Sequence, residues 1–499
     1  MDGHLSGFEI FVLGTYGVLL VFLSIYGFHR YWLAYLYYRH KKDVPVPDRQ
    51  FADLPRVTIQ LPTFNEMYVV ERLIDATCQI RYPKDKLEIQ VLDDSIDDTV
   101  HIARAAVEKW RAQGYDIHYL HRTNRDGFKA GALEEGLKVA SGEFVAVFDA
   151  DFVPQGEFLE RTIHFFTNEK IGMVQVRWDH LNRDFSLLTR AQSVLLDGHF
   201  IIEHTARNRS GRFFNFNGTA GIWRRATIVD AGGWQHDTLT EDLDLSYRAQ
   251  LSGWKFVFLP DVLSPAEVPV EMNSFKSQQH RWAKGSIQTA KKLLPRILKS
   301  SLPWSVKAEA TFHLTNNLAY LLMVVLCLIL PVSIVVRHGL RVPALMYIDL
   351  PAFLLASISM AYFYYVCQRE AGVSRWERLK YLPVVLSIGI GLCINNAKAA
   401  IEALFGHQSG FARTPKYAVT DKGDIAWHKH TQYHRKKDWL PFLELSLGLW
   451  FTYAVYLAIE YGAWVGLPFM VLFQFGFLYM ALLSLFQTRT RFAAAPSDI

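Results

Sequence analysis

The sequence predicts an α/β domain with a Rossmann-like mixed sheet, inserted between α-helical transmembrane segments. Between residues 56 and 259, short runs of β-branched and apolar residues alternate with stretches of helical periodicity. Such alternation is typical of a doubly wound, mostly parallel sheet. Long apolar segments lie on both sides of this region, and about 20 apolar residues in a helix suffice to cross a membrane. The 499 residues are 51% hydrophobic and 14% aromatic, which fits a soluble domain joined to membrane helices.

The first apolar segment, residues 10–28, predicts a transmembrane anchor. No small-residue cleavage site follows it, so it differs from a signal peptide. Lys, Arg and His side chains cluster over residues 29–42, and by the positive-inside rule this end faces the cytoplasm. The proline-rich residues 44–55 predict a linker. The domain that follows is therefore expected on the cytoplasmic side of an inner or plasma membrane, in a multi-pass protein.

The elements of the α/β region follow from local patterns. Strands are predicted over 57–61, 87–92, 117–120, 144–148, 173–177 and 256–259, and helices over 66–79, 97–111, 129–140 and 187–207. No GxGxxG motif follows the first strand, so a dinucleotide-binding site is not indicated.

The apolar segments after the α/β domain predict a bundle of membrane helices. Residues 274–298 mix Lys and Arg with Trp, Ile and Leu, which favours an amphipathic helix on the membrane face; a solvated surface helix is the alternative. Apolar segments follow at 314–336, 346–366, 382–394, 442–464 and 467–486. The loops 369–380 and 411–437 are both basic and both expected in the cytoplasm. With both of these loops inside, residues 382–404 cannot make a simple crossing, and they also carry Asn395, Asn396, Lys398 and Glu402. They therefore fit an interfacial or re-entrant helix, which gives five spans, with six as the alternative.

These features divide the chain into six segments. They are an N-terminal transmembrane anchor (1–43), a cytoplasmic α/β domain (44–273), an amphipathic interface helix (274–300), transmembrane segments with the interfacial helix (301–405), a cytoplasmic loop (406–438), and a C-terminal transmembrane hairpin with a short tail (439–499). The four cysteines are scattered and form no CxxC, so neither a disulfide framework nor a zinc site is indicated. The net charge of +5 is modest and requires no nucleic-acid partner.

Acidic side chains follow two of the predicted strands. Asp149 and Asp151 come after the apolar run 144–148, and Asp94 comes after the run 87–92. In a parallel sheet both positions lie at the carboxyl edge, where ligands bind, and their charges repel unless a cation or a proton intervenes. Two acids at positions i and i+2 can share a hard divalent cation that holds a diphosphate. A solvated acidic loop and a helix cap are the alternatives.

Two further groups can carry chemistry. Asp242 follows a Gly-Gly-Trp turn and precedes a helix, so it can act as a general base for an incoming hydroxyl or simply favour the first helical turn. Residues 278–282 of the expected interface helix read Gln-Gln-His-Arg-Trp. Arg281 can bind phosphate oxygens as a fork. Trp282 offers a flat face to a sugar ring, although Trp is common at membrane interfaces without such a role.

Seven motifs occur in a characteristic order between about residue 55 and residue 282. They are Leu-Pro-Thr-Phe-Asn-Glu (61–66), Val-Leu-Asp-Asp-Ser (91–95), Gly-Phe-Lys-Ala-Gly-Ala-Leu (127–133), Phe-Asp-Ala-Asp (148–151), Phe-Asn-Gly-Thr-Ala-Gly (216–221), Thr-Glu-Asp (240–242) and Gln-Gln-His-Arg-Trp (278–282). This array resembles that of the processive, membrane-bound family-2 glycosyltransferases: the cellulose synthases and especially the cellulose-synthase-like mannan synthases. The resemblance implies a GT-A-type fold for the α/β domain.

The resemblance implies a donor site at the sheet edge. Glu66 and Asp94 would lie at the nucleotide pocket, with Asp94 near the base or ribose. Lys129 would approach the diphosphate. Asp149 and Asp151 would hold Mg²⁺ or Mn²⁺ on that diphosphate, with Asp151 as the preferred direct ligand.

The resemblance also implies roles on the acceptor side. Asp242 would be the general base, and Gln278 and Trp282 would bind the terminal sugar of the acceptor. Arg281 would help to neutralise the leaving diphosphate. Such a site performs an inverting displacement, in which a deprotonated hydroxyl attacks the anomeric carbon.

The stretch Tyr-Ala-Val-Thr-Asp-Lys (417–422) resembles the gating loop of cellulose synthases, which covers the bound nucleotide. Thr420 and Lys422 would reach the nucleotide and its phosphates; a basic cytoplasmic loop near the membrane is the alternative. Tyr417 replaces the usual Phe, and Gln279 replaces an Arg, which is nearer to the mannan-synthase-like branch. The tail after residue 486 is too short for a cyclic-dinucleotide-binding domain.

The sequence thus predicts a metal-dependent inverting hexosyltransferase that uses UDP-glucose or GDP-mannose. Its product would be a β-linked cellulose-, glucan- or mannan-like polysaccharide moved across the membrane, with the growing glycan and membrane lipids as partners and room for accessory export proteins. The alternative is transfer of one sugar to a ceramide, diacylglycerol or polyprenyl phosphate. A transporter or receptor with a degenerate nucleotide-binding domain is disfavoured because all three acidic sites are intact.

Overall fold

The computed structural model describes residues 5–340, 350–408, 410, 413–420 and 439–493. Its α/β domain is built on a seven-stranded sheet with the strand order β3-β2-β1-β4-β6-β5-β7. The strands are β1 (Val57–Thr63), β2 (Leu87–Asp93), β3 (Asp116–His121), β4 (Phe144–Val147), β5 (Ile171–His180), β6 (Gly221–Arg224) and β7 (Lys255–Ala266). All neighbours are parallel except β6, which runs antiparallel to β4 and β5. The predicted mixed sheet is therefore confirmed.

The α-helices surround this sheet and form a bundle beside it. They are α1 (Gly7–His40), α2 (Val70–Cys78), α3 (Thr99–Arg111), α4 (Phe128–Val139), α5 (Phe158–Thr162), α6 (Leu187–Asp197), α7 (Thr205–Arg209), α8 (Arg225–Asp230), α9 (Glu241–Leu251), α10 (Met272–Lys299), α11 (Trp304–Thr315), α12 (Ala319–Gly339), α13 (Leu350–Phe353), α14 (Ser359–Glu370), α15 (Arg375–Gly391), α16 (Cys393–Leu404), α17 (Leu440–Glu460) and α18 (Leu467–Ala493).

Strand β4 shows why this part of the chain becomes the centre of the sheet. Its side chains alternate between the two faces, and both faces are covered by helices. Phe144 and Ala146 belong to one buried cluster together with Leu73 of α2, whereas Val145 belongs to another with Leu133 of α4. A strand buried on both faces needs an uninterrupted apolar run, and that is what the sequence supplies.

The elements that differ from the sequence-based expectation include a strand, a helix and the end of β4. Strand β6 was not expected, because its four residues, all buried except the last, show neither alternation nor a long apolar run. The helix expected over 187–207 contains a π-helical stretch, Gly198–His204, between α6 and α7. Strand β4 ends at Val147, so the two acids of the Asp-Ala-Asp motif lie in the turn after it.

Six helical segments of the described residues are long and apolar enough to cross a membrane. They are Gly7–His40, Trp304–Gly339, Leu350–Glu370, Arg375–Leu404, Leu440–Glu460 and Leu467–Gln487. Arg375–Leu404 contains the stretch expected to be interfacial, and by length and composition it too can span. This set matches the six-span alternative, and the number of spans stays a prediction. Residues 341–349 of the segment expected over 346–366 lie outside the described residues.

Helix α10 covers the residues expected to form an interface helix. It packs against α9 of the α/β domain and against α11, α16 and α18. Two of its lysines are buried in ion pairs with the bundle: Lys276 Nζ lies 2.6 Å from Glu444 Oε1, and Lys284 Nζ lies 2.9 Å from Glu402 Oε2. The helix therefore lies between the α/β domain and the bundle.

Candidate active site

Nine of the eleven predicted site residues line one cavity of about 170 Å³ at the carboxyl edge of β1, β2 and β4. They are Glu66, Asp94, Lys129, Asp149, Asp151, Asp242, Gln278, Arg281 and Trp282. Seven carboxylates and five Lys or Arg side chains contribute to the lining. A pocket so rich in both charges suits a substrate that carries several charges itself.

The two acids after β4 are held in place by the main chain and by two lysines. The Asp149 N–H donates to Thr219 Oγ1 at 2.9 Å. The Asp149 carboxylate accepts from Lys129, which also donates to the Gly218 carbonyl at 2.9 Å. Asp151 Oδ2 accepts from Lys416 Nζ at 2.6 Å. Each acid of the motif thus has its own cationic partner.

The ligand types at this edge fit a hard divalent cation. Among the described residues, no group of three His, Cys, Asp or Glu side chains converges as a complete metal site. Mg²⁺ in nucleotide sites characteristically takes one or two carboxylates and fills its remaining positions with phosphate oxygens and water. Glu267, which also lines the cavity, has a buried Oε2 without a hydrogen-bond partner. Burial raises the pKa of Glu267 to about 7 against the opposing effect of Lys416.

Asp242 lies in the first turn of α9, after the N-cap residue Thr240. Its Oδ1 accepts from the Leu243 N–H at 2.8 Å. Burial, followed by repulsion from Glu241, raises the pKa of Asp242 to about 7. A carboxylate with a pKa near neutrality can both accept a proton at the working pH and bind it strongly enough to assist a reaction.

A second, larger cavity of about 500 Å³ extends from this point between the membrane helices. Asn316, Asn317 and Tyr320 line its membrane part. Seven residues line both cavities: Trp178, Leu196, Asn217, Thr240, Asp242, Gln278 and Trp282. The candidate base and both candidate acceptor residues therefore lie where the two cavities meet.

Comparisons with known proteins agree with this geometry. Residues 55–285 match the family described as glycosyltransferase like family 2. These residues form a family-2 glycosyltransferase domain. The match ends within α10, just beyond Trp282, so the glycosyltransferase domain includes every residue that the two cavities share.

Two curated plant proteins are similar to this chain. Glucomannan 4-beta-mannosyltransferase 1 of Oryza sativa subsp. japonica is 41% identical over 316 residues, 60% of this chain and 60% of that protein. Glucomannan 4-beta-mannosyltransferase 2 of Arabidopsis thaliana is 45% identical over 254 residues, 50% of this chain and 48% of that protein. The chain thus spans about half to three fifths of the length of these relatives.

A solved structure shares the fold. The mannosyltransferase from Pyrobaculum calidifontis in complex with GDP-Man and Mn²⁺ superimposes with a TM-score of 0.52 at 21% identity, over 79% of this chain and 100% of that chain. The expected GT-A fold of the glycosyltransferase domain is confirmed.

Two of the predicted site carboxylates in the charged cavity, Asp94 and Glu66, are paired with guanidinium groups. Asp94 accepts from Arg122 Nε and Nη2 at 2.7 and 2.5 Å. Glu66 accepts from Arg413 Nε and Nη2 at 2.7 and 2.6 Å. Burial nevertheless raises the pKa of Glu66 to about 7. The Arg125 guanidinium lies 3.3 Å from the ring centroid of its neighbour Phe64, beside these pairs.

Four of these cationic residues and Glu267 were missed from the sequence. Arg122 follows β3 at the same carboxyl edge as Asp94, so strand order could have indicated it. Glu267 directly follows β7, but no local pattern separates it from an ordinary surface acid. Arg413 and Lys416 belong to a loop recognised as basic, yet their partners lie hundreds of positions away. The site residues missed from sequence are Arg122, Arg125, Arg413, Lys416 and Glu267.

The gating-like stretch is only partly described. Tyr417 is 4% exposed and packs against Val270 and Val419. Its N–H donates to Glu267 Oε1 at 3.1 Å. Thr420 is exposed and does not line the cavity, whereas Lys422 lies outside the described residues. The roles of both residues stay predictions.

Proposed function

We propose that this chain is an inverting hexosyltransferase that elongates a β-linked polysaccharide from a nucleotide sugar. The observation that carries the proposal is the position of Asp242, Gln278 and Trp282, which line both the charged cavity and the cavity between the membrane helices. A donor in the first cavity and an acceptor in the second would meet at these residues. The names of the plant relatives and the GDP-Man in the structural relative favour GDP-mannose over UDP-glucose as the donor.

On the donor side, Asp149 and Asp151 would hold Mg²⁺ or Mn²⁺. When bound, this cation would offset the charge that develops on the departing nucleoside diphosphate. Lys129 and Arg281 add two cationic groups to the same cavity. The charges of Asp149 and Glu241 outweigh burial and raise the pKa of Lys129, so the lysine stays protonated and can stabilise phosphate oxygens.

On the acceptor side, Asp242 removes the proton from an acceptor hydroxyl. The hydroxyl oxygen forms the new bond to the anomeric carbon while the bond from that carbon to the diphosphate oxygen breaks. Because attack and departure take place on opposite faces of the sugar, the configuration inverts. Trp282 supplies an aromatic face and Gln278 supplies amide hydrogen bonds, so the two can orient the terminal sugar.

The membrane helices would hold and export the product. We propose a multi-pass protein of an inner or plasma membrane with the glycosyltransferase domain in the cytoplasm. The cavity between the helices, with its mixed polar and apolar lining, would receive the growing glycan. Its volume of about 500 Å³ is in the range of pockets that enclose a small ligand.

A single sugar transfer to a lipid is the second candidate. It is favoured by the aliphatic and aromatic side chains in the membrane part of the second cavity, which suit an acyl or prenyl chain. They include Leu20, Leu23, Leu326, Leu330 and Phe473.

The test is a donor-by-donor assay with the full-length protein in lipid nanodiscs. Radiolabelled GDP-mannose or UDP-glucose with Mn²⁺ should yield free nucleotide diphosphate and a long product that β-mannanase or β-glucanase digests. A single labelled lipid would replace the polysaccharide proposal with the second candidate, and no turnover of either donor would contradict both.

The Asp242→Asn variant examines the proposed base in the same assay. Transfer should fall by about 10²–10⁴-fold, as expected for loss of a general base, while nucleotide binding persists. Asp237→Asn is a matched control, because Asp237 lies in the loop that leads into α9, is exposed, and is paired with Lys292 at 2.8 Å. An Asp242→Asn variant with wild-type transfer would show that the base assignment is wrong.

A further inference from the structure

An ammonium group occupies the space beside the second acid of the Asp-Ala-Asp motif. Lys416 Nζ donates to Asp151 Oδ2 at 2.6 Å and also to the main-chain carbonyl of Glu267 at 2.6 Å. Lys416 is buried, so this contact is an interior ion pair and not a surface one. One cation thus bridges two oxygen atoms from separate parts of the chain.

The side chain of Glu267 lies at the same place. It is 2% exposed, and its Oε1 accepts from the Tyr417 N–H at 3.1 Å. Its Oε2 is buried and has no hydrogen-bond partner, although it belongs to a residue that lines the charged cavity. A buried carboxylate oxygen without a partner is costly unless another ligand satisfies it.

The main chain fixes Glu267 next to Asp151. Residues Phe152 and Ala266 form an antiparallel bridge, and the Val153 N–H donates to the Pro265 carbonyl at 2.9 Å. The residues on either side of this bridge therefore stay adjacent whatever the side chains do. Asp151 and Glu267 are consequently held as neighbours by the fold itself.

We propose that the divalent cation of the donor complex binds where the Lys416 ammonium lies, with Glu267 as a further protein ligand beside Asp151. This inference rests on the metal-dependent donor site of the proposed function. The available ligands are carboxylate and carbonyl oxygens, the types that Mg²⁺ and Mn²⁺ prefer. Lys416 compensates the acidic charge while the position is free of metal, and it withdraws when the divalent cation arrives with its diphosphate. Lys416 and the metal are thus competitors.

The competition can be measured as metal affinity, independently of turnover. Full-length protein in detergent is saturated with GDP, and in a parallel series with UDP, and titrated with Mn²⁺ while free Mn²⁺ is followed by electron paramagnetic resonance. Glu267→Gln should raise the Kd for Mn²⁺ by about tenfold or more, the scale at which groups supporting a metal site act. Lys416→Met should lower that Kd severalfold, because it removes the competing charge.

Matched controls separate these effects from general changes in charge. Lys109→Met removes a lysine that lies 3.0 Å from Asp75 on the outer surface, and Glu160→Gln removes an exposed carboxylate 2.7 Å from Arg81. Both should leave the Mn²⁺ affinity unchanged. If Glu267→Gln does not fold, as judged by gel filtration and thermal unfolding, Lys416→Met carries the test.

An unchanged Mn²⁺ affinity in Glu267→Gln, or a weaker one in Lys416→Met, would overturn the inference while leaving the proposed function intact. A weaker affinity in Lys416→Met would mean that the lysine assists donor binding instead of competing with the metal. If the wild-type protein binds no Mn²⁺ with either nucleotide, the metal dependence in the proposed function fails first. The two failures therefore give different results.

Discussion

Replacing Glu241 with Gln should move the acid limb of the pH–rate profile to lower pH. Burial is the largest cause that raises the pKa of Asp242 to about 7, and repulsion by Glu241 is the second. A general base works only when ionised, so wild-type kcat should fall about tenfold per pH unit well below pH 7. The Gln side chain keeps the size of Glu241 but removes its charge, so the base should ionise at lower pH.

The expected size of the shift follows from Coulomb's law. Two unit charges about 10 Å apart interact by about 1.7 kcal/mol at an effective dielectric constant of about 20, and one pKa unit corresponds to about 1.4 kcal/mol. The carboxylates of adjacent residues such as Glu241 and Asp242 lie within this distance of each other, so we expect Glu241→Gln to lower the pKa of Asp242 by about one unit. At pH 6 the ionised fraction of Asp242 would then rise from about a tenth in the wild type to about a half in the variant. The value of kcat at pH 6, expressed as a fraction of its plateau at high pH, would therefore be about fivefold higher in the variant.

The assay is the initial rate of nucleotide release between pH 5.5 and 9 with donor and acceptor saturating, so that kcat reports the complex. Glu160→Gln, which removes an exposed carboxylate far from the cavity, serves as the charge control and should leave the limb in place. A wild-type profile that is flat below pH 7 would refute the assignment of a base with this pKa. An unmoved limb in Glu241→Gln would refute the electrostatic coupling.

Two further substitutions examine the walls of the site and the core behind it. Gly218 has a φ of +80°, and a Cβ there would lie 3.1 Å from Asp242 Oδ2. Gly218→Ala should therefore lower kcat at least about tenfold. The control is Gly211→Ala, which has a similar φ of +70° but open space around it; it should retain activity and so shows the effect of backbone strain alone. Arg207 donates to Glu309 at 2.9 Å and both are 2% exposed, so Arg207→Met should destabilise the fold by about 3–5 kcal/mol, measured by thermal unfolding in detergent; an unchanged unfolding temperature would contradict the importance of this pair.

The sequence predicted that the acids lie together at one edge of the sheet, because only strand type and order were needed. Asp94, Asp149 and Asp151 follow parallel strands, and the carboxyl ends of parallel strands share one edge. Strand β6 was not predicted, because four residues are too few to show a period. Its antiparallel position between β4 and β5 is decided by tertiary pairing. The site roles of Glu267 and Lys416 were not predicted for a different reason. The contacts of Lys416 join residues 149 or more positions apart, and no local sequence pattern indicates a partner at that distance.

The sequence-based boundary at residue 43 separates the first membrane helix from the α/β domain, but a buried ion pair crosses it. Arg30 of α1 pairs with Glu203 in the π-helical stretch, and Glu203 Oε2 also contacts His199 Nδ1 at 3.3 Å. The Asn217 amide donates to the other nitrogen of His199 at 2.9 Å, and Asn217 lines both cavities. A continuous polar chain thus runs from the first membrane helix to the junction of the two cavities. Because a buried charge that loses its partner is strongly destabilising, the ion pair of Arg30 helps to support the residues at this junction, and Arg30 itself also lines the second cavity.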